Sequence, residues 1–224
     1  MEKMIYITGV GLCKEALASI ETIRSVKTVI KAEELALAAA SMALRQAGLD
    51  NLENCAVVFG IDNAIDGCKA EFFKGLLQDG PMGASPLLFP YTSSNAITAQ
   101  VTIAFGIKGE DITITGGALS FLKAICYGLQ LLNRGVIQSA IIGGVSENEA
   151  MVLGIETLYR ERQKKLFGKI INYEDPLKDV ASQDKRTIES IEDSFRLMNN
   201  AIKSKGSIKA FDKQGQGIGL TIGL

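Results

Sequence analysis

The 224-residue sequence contains no histidine and no tryptophan, and it has only four prolines. Without an imidazole, the chain has no Ser-His or Cys-His pair, no histidine base near neutral pH and no histidine ligand for a metal ion. Catalysis by this chain would have to rest on lysine, aspartate, glutamate, tyrosine or cysteine alone. The missing residue type therefore excludes most familiar enzyme mechanisms before any motif is considered.

Cysteine is also scarce. The four cysteines, Cys13, Cys55, Cys68 and Cys126, lie far apart and form no Cys-x-x-Cys pair. This spacing favours neither a disulfide framework nor a zinc site, so we interpret them as isolated buried thiols. Cys126 falls well inside a predicted helix, which favours a core residue over a nucleophile. We expect no metal and no cofactor.

The charges are balanced, with 24 basic and 25 acidic side chains and a net charge of −1. That balance gives no electrostatic reason to expect nucleic acid or an anionic membrane as a partner. The sequence has no secretory signal pattern and no run of 18 apolar residues, so we expect a cytoplasmic protein. Hydrophobic residues nevertheless make up 47 % of the chain. This fraction indicates either a large core or apolar surface that meets another subunit.

Short β-rich runs alternate with helical patterns along most of the chain, which predicts an α/β fold with a mixed, mostly parallel sheet flanked by helices. We expect one domain over residues 1–224. The predicted strands are 5–12, 55–60, 111–115, 140–144 and 215–224, and the predicted helices are 32–47, 66–78, 95–105 and 118–133. Gly9 and Gly11 are interpreted as a turn after the first strand. A dinucleotide fingerprint there would need a third glycine where Lys14 stands.

From about 155 to 208 the sequence turns polar and charged, and we predict a divergent helical segment. Within it an apolar stripe recurs at helical spacing: Ile188, Ile191, Phe195, Met198 and Ile202. Such a stripe is typical of a helix that lays one face on a core, and a partner-binding helix is the alternative.

Five stretches occur in an order that carries a family resemblance: 5–12, 90–109, 111–125, 143–147 and 215–224. Residues 111–125 read DITITGGALSFLKAI, a β-branched strand, a glycine turn and an apolar helix. Together the stretches resemble the N-terminal half of β-ketoacyl synthases, the condensing enzymes of the thiolase fold. The resemblance implies a thiolase-like half-fold for this chain.

The resemblance also implies a scaffold without the family's chemistry. Ala118 stands where the family has its nucleophilic cysteine, and a methyl group cannot form an acyl thioester. The family's second half, which supplies two histidines, has no counterpart in this sequence. Ser120 is retained, whereas Phe121 replaces a glycine. The chain resembles the chain-length factors of type II polyketide and aryl-polyene-type systems, which pair with an active ketosynthase.

Two candidate interface elements follow from that resemblance. The strand over 111–115 corresponds to the one that pairs antiparallel across the family's dimer, although an interior strand is the alternative. The helix over 118–133 is apolar on every side, so the segment 155–208 or a second subunit must cover it. We therefore predict an interface that includes Ile112, Thr113, Ile114, Thr115, Leu119, Phe121 and Leu122.

The loop before the third helix is the candidate specificity element. By position in the family, Leu88, Thr92 and Ser93 are nearest to the acyl chain growing in the partner's tunnel, where bulky side chains set its length. The alternative is that they are ordinary loop residues, with Ser93 or Ser94 capping the helix.

Three functions remain open from the sequence. The first is a non-catalytic, chain-length-factor-type subunit in a heterodimer with a ketosynthase. The second is a homodimer that binds an acyl chain or an acyl carrier protein. The third is an enzyme with an unrecognised site of lysine and carboxylates, for which Lys123 is the candidate.

Overall fold

The computed structural model describes residues 3–14, 30–49, 52–157, 166–175 and 186–224. The helices and strands of these residues are β1 (Ile5–Cys13), α1 (Lys31–Ala47), β2 (Cys55–Ile61), α2 (Asp66–Asp79), α3 (Asn95–Phe105), β3 (Asp111–Thr115), α4 (Ser120–Arg134), β4 (Ser139–Val145), β5 (Ala150–Glu156), β6 (Gly168–Glu174), β7 (Arg186–Thr187), α5 (Ile191–Ser204), β8 (Ser207–Phe211) and β9 (Gly217–Gly223). Across the ranges given, no helix is both long and apolar enough to cross a membrane.

The strands form one mixed sheet in the order β3-β2-β4-β5-β1-β6-β9-β8-β7. Strands β3, β2 and β4 are parallel, and β5 is antiparallel to both β4 and β1. As a result, β1, β2, β3 and β4 all run in the same direction. Helices α1 and α3 cover one face of this part of the sheet and α4 covers the other. The predicted mixed sheet flanked by helices is confirmed.

The N-terminal glycines lie within β1, so the predicted turn there is wrong. A Cβ on Gly9 would come within 2.1 Å of the Ala43 carbonyl oxygen, and one on Gly11 within 1.9 Å of the Ala39 oxygen. These two glycines therefore let the alanine-rich helix α1 pack directly on the backbone of β1. The register shift between Ile7 and Gly9 accommodates the same approach.

Helix α4 is not apolar on every side as predicted, because it carries a half-buried to exposed stripe: Lys123, Tyr127, Gln130 and Arg134. The rest of the helix is largely buried within this chain. Its first turn lies against β2, where a Cβ on Gly60 would come within 2.3 Å of the Ser120 carbonyl carbon. On the other side Phe121 contacts Phe195 of α5 edge-to-face, with ring centroids 5.1 Å apart. Gly144 of β4 leaves the space beside both rings. The sequence left open whether the segment 155–208 or a second subunit packs on α4, and α5 belongs to the segment 155–208.

The apolar stripe of that segment is the buried face of α5 and of the residue leading into it. Each of its members is buried: Ile188, Ile191, Phe195, Met198 and Ile202. The helix begins after Ser190 with a capping box, in which the Ser190 hydroxyl accepts from the Asp193 N–H and the Asp193 carboxylate accepts from the Ser190 N–H. The interpretation as a helix laid against the core is therefore confirmed.

The segment 155–208 is not purely helical, and this part of the prediction is wrong. Strands β6 and β7 belong to it and extend the sheet beyond β1. Most of the β6 side chains after Ile170 are exposed, which gives the strand a polar composition like that of a surface helix. Residues 158–165 and 176–185 of the segment lie outside the described residues.

Candidate functional site

Strand β3 forms one end of the sheet, and within the described ranges it pairs with β2 alone. The Val57 N–H donates to the Glu110 carbonyl oxygen at 2.7 Å. Because backbone groups alternate along a parallel ladder, the N–H and C=O groups of Asp111, Thr113 and Thr115 point away from β2. Among the strands of the described residues, β3 is therefore an end strand with an open edge and not an interior strand.

The side chains of β3 pack between α3 on one face and the core around α4 on the other. Ile112 and Ile114 are half-buried and pack against the core around α4. On the opposite face, the hydroxyl oxygens of Thr113 and the buried Thr98 of α3 lie 2.6 Å apart. Thr115, at the end of the strand, is exposed. These contacts fix the direction in which the edge faces.

The turn after β3 carries Ala118 and is bonded to α5. Gly117 has a φ of 66°, a left-handed conformation that glycine adopts without strain. Ala118 is half-buried, and the Ser194 hydroxyl donates to its carbonyl oxygen at 2.8 Å. The Ser120 hydroxyl is fully buried and has no hydrogen-bond partner among the residues described. Helix α5 therefore lies on the turn where the family resemblance places a nucleophile.

Three of the predicted interface residues do not reach the surface. Leu119, Phe121 and Leu122 are completely or almost completely buried within the chain itself. They have no exposed area with which to contact a partner, because α5 and the sheet enclose them. Their assignment to a subunit interface is therefore wrong, whereas the four β3 residues remain at or near the surface.

The three predicted tunnel residues lie in the loop between α2 and α3, which contacts both helices. Leu88 and Thr92 are half-buried, and Ser93 is exposed. The Thr92 hydroxyl donates to the Phe89 carbonyl oxygen at 2.7 Å, and the Ser93 hydroxyl donates to the Asn95 side-chain oxygen. Ser94 occupies the N-cap position without a side-chain cap bond. These contacts give the loop a defined shape next to α3, which packs on β3.

An exposed apolar surface lies beside this loop and was missed from the sequence. We name it the α2 apolar surface, and its members are Phe73, Leu77, Met82, Leu87 and Phe89. Only Cys68 and Phe72 of α2 are buried. The available signal was the density of large apolar residues in α2, which has two adjacent phenylalanines and two adjacent leucines. Phe73 and Leu77 lie about 100° around the helix from Phe72 and Leu76, and they are the two that are exposed.

The titratable groups of the described residues are mostly separate from one another. Burial raises the pKa of the Asp62 carboxyl, and the nearby carboxylates of Glu192 and Asp66 raise it further. The Lys123 ammonium donates to the Gln216 side-chain oxygen at 3.0 Å rather than to a carboxylate. In the parts of the chain that the structure describes, no group of three or more cysteine or acidic side chains is placed to hold a metal ion.

All four cysteines are buried, as predicted. Burial raises the pKa of the Cys55 thiol to about 11 and that of Cys126 to about 12. Both side chains are therefore protonated at neutral pH and unsuited to nucleophilic attack.

Residues 5–156 match the family model of the β-ketoacyl synthase, N-terminal domain. The match covers more than half of the chain, and the chain belongs to this family. The predicted thiolase-like α/β fold is confirmed by the match and by the similarity to solved structures.

Two solved structures resemble the chain over almost its whole length. The ishigamide ketosynthase/chain length factor has a TM-score of 0.74 at 13 % identity, with 99 % of each chain covered. AntDE:AntF, a type II PKS acyl-carrier protein in complex with its ketosynthase bound to the hexaketide, has a TM-score of 0.72 at 13 % identity and the same coverage. At these identities the similarity concerns the fold.

A sequence relative is the 3-oxoacyl-[acyl-carrier-protein] synthase 2 of Vibrio cholerae serotype O1. It is 28 % identical over 123 residues, which cover 53 % of this chain and 30 % of the relative. The matched region thus spans less than a third of the length of that enzyme.

Proposed function

We propose that this chain is a non-catalytic, chain-length-factor-type subunit that pairs with an active β-ketoacyl synthase and shapes its acyl tunnel in polyketide or fatty-acid biosynthesis. The open edge of β3 is the observation that carries the proposal. An unpaired strand edge offers backbone donors and acceptors to a strand of another chain. The similarity to a ketosynthase/chain length factor structure supports a ketosynthase as that other chain.

The chemistry around Ala118 supports a subunit without condensing activity. The methyl group of Ala118 offers no nucleophile, and the chain has no histidine to assist one. The bond from Ser194 to the Ala118 carbonyl also places α5 on the turn. We infer that the turn and α4 serve as scaffold in this chain.

The position of the loop supports a role in tunnel shape. The loop that carries Leu88, Thr92 and Ser93 leads directly into α3, which packs on β3. A ketosynthase paired with β3 would therefore meet this loop. We propose that these three residues contact the acyl chain in the partner's tunnel and limit its length.

Co-expression tests the pairing. The tagged chain would be produced with each cysteine-containing ketosynthase of the source organism in turn, and the purified material sized by chromatography with light scattering. We expect one ketosynthase to form a stable 1:1 complex. Separate peaks with every ketosynthase would overturn the proposal.

Substitutions at the two sheet edges show whether β3 makes the contact. Thr113→Pro removes an outward N–H of β3 and should abolish the complex, whereas Thr113→Val removes only the hydroxyl and should retain it. Thr187→Pro is the matched control at the opposite edge. The Ile188 N–H donates to Phe211 of β8, so the neighbouring Thr187 N–H points outward there. Equal effects of the two proline variants would argue against β3 as the pairing strand.

The open edge also admits a second copy of this chain, which keeps the homodimer as the second candidate function. Light scattering of the chain alone distinguishes the two. A stable dimer that excludes every ketosynthase would favour the homodimer. An acyl carrier protein as a further partner stays a prediction.

A further inference from the structure

The α2 apolar surface is concentrated in a short stretch of the chain. Its five members all lie between residues 73 and 89, and the side chains of Leu77 and Met82 are 84 % and 93 % exposed. Scattered exposed apolar residues are normal on a protein surface, but a cluster of large ones marks a contact site. The other exposed large apolar residues of the described chain are more widely spaced along the sequence.

This surface is held in a fixed shape. The turn after α2 folds back on the helix, and a Cβ on Gly75 would come within 2.4 Å of the Gly83 carbonyl oxygen. In return, a Cβ on Gly83 would come within 2.2 Å of the Gly75 oxygen. The buried ring of Phe72 also contacts Phe89, with centroids 5.9 Å apart. A surface that is ordered before binding loses less conformational entropy when a partner covers it.

The β3 edge alone is too small for a stable subunit contact. A stable interface buries roughly 800 Å² on each partner and involves about 20–30 residues a side, whereas β3 has five residues. Helix α3 joins the two regions, since it packs on β3 and follows directly on the loop that carries Leu87 and Phe89. Its Ile103 is also exposed. A partner paired with β3 must therefore contact further surface, and the exposed apolar residues that lead into α3 are the candidates.

We propose that the ketosynthase paired with this chain covers the α2 apolar surface, with Leu77 and Met82 as the main contacts. This inference rests on the proposed function and assigns a second part of the surface that the ketosynthase contacts beside the β3 edge. The partner surface must be apolar and shaped to receive two unbranched or γ-branched side chains. Lys74 and Asp79 of α2 bring one charge of each sign, so the affinity should depend weakly on salt.

The test is the dissociation constant of the purified chain and its ketosynthase, measured by titration calorimetry for wild type and variants. The double variant Leu77→Asp/Met82→Asp should weaken binding by more than about 30-fold, as expected for central contacts of an interface. Ile171→Asp is the matched control, because Ile171 is exposed on β6, and it should change binding less than threefold. Thermal unfolding should be the same for all three proteins.

A second pair of variants tests the fixed shape. Gly75→Ala would displace the turn that carries Met82, and we expect binding to weaken about tenfold or more. Gly67→Ala lies on the same helix, where the new Cβ would meet only the Glu147 carboxylate at 3.6 Å. It should bind like wild type. Loss of binding by both alanine variants alike would point to helix distortion and overturn the role of the turn.

The outcomes separate this inference from the proposed function. If wild type binds no ketosynthase, both fail. If wild type binds and the aspartate double variant binds equally tightly, the pairing stands and this surface has no part in it. If the double variant binds the ketosynthase normally but no longer associates with itself, a second copy occupies the surface and the inference is overturned.

Discussion

Helices α4 and α2 both carry several large apolar side chains, but those of α4 are mostly buried, whereas Phe73 and Leu77 of α2 are exposed. Helix α4 packs on the sheet and against α5, so that Phe121 is fully buried. Helix α2 buries only Cys68 and Phe72. An apolar helix therefore does not locate a subunit interface by itself. What matters is whether another part of the same chain covers it.

Removing an α5 ring that packs on α4 should show the difference between α4 and α2 most clearly. Phe195→Ala removes a fully buried side chain that contacts Phe121 and should lower the free energy of unfolding by about 3–5 kcal/mol. Leu77→Ala on α2 should change it by less than about 0.5 kcal/mol. Chemical denaturation of both variants measures the difference. Similar losses would mean that α2 is covered within the chain after all.

Replacing a glycine by alanine should change the free energy of unfolding in opposite directions next to α4 and within α2. Gly60→Ala places a Cβ against the backbone at the start of α4, and the displacement should cost about 1–3 kcal/mol. Gly67→Ala in α2 meets no close backbone atom and should stabilise by about 0.5–1 kcal/mol, the usual gain for alanine in a helix. Denaturation curves with equal shifts would contradict the open environment of α2.

Loss of the α5 N-cap should lower the free energy of unfolding by a smaller amount. Ser190→Ala removes the hydroxyl that accepts from the Asp193 N–H and should cost about 1 kcal/mol.

Although burial raises the pKa of Asp193, the Glu189 N–H, Arg196 and the Ser190 N–H lower it overall. The Asp193 contribution should therefore be present above its unfolded pKa and be lost as the pH falls through the lower folded value. Asp193→Asn should remove this acid dependence in pH-jump denaturation.

The smallest effect is expected where β2 leads into α2. Burial, followed by the charges of Glu192 and Asp66, raises the pKa of Asp62 in the folded chain. Its folded pKa lies above the unfolded one, so the free energy of unfolding falls as the pH rises between the two values. Asp62→Asn should raise stability slightly at pH 7 and leave it unchanged or lower at pH 3. A variant less stable than wild type at pH 7 would mean that the carboxylate is favourable there.

The sequence predicted the helices well because their signals are local. Helix α1 follows the alanine and leucine spacing and ends at Gly48 in the left-handed conformation, as expected for a helix C-cap. Strand β5 was missed because the turn before it has no glycine or proline. There the Ser146 hydroxyl accepts from the backbone N–H groups of Asn148 and Glu149, a side-chain turn that composition does not reveal.

The candidate site was only partly predictable, since it depends on which strands become neighbours. The β-branched pattern of 111–115 predicted a strand, and its place at the end of the sheet follows from the order of all nine strands. In the same way, the apolar pattern of α4 predicted burial but did not identify α5 as the cover. Residues far apart in the sequence decide both outcomes.

The central position of β1 has a consequence for the synthesis of this chain. The strand leaves the ribosome well before its hydrogen-bonding partners β5 and β6, which begin at residues 150 and 168. At about 5–20 residues per second, roughly 7–30 s pass before β5 is complete. We expect β1 to stay open to protease in ribosome-bound chains arrested before residue 150 and to become protected once β6 has emerged. The centre of the sheet is therefore completed only after β5 and β6 have been synthesised.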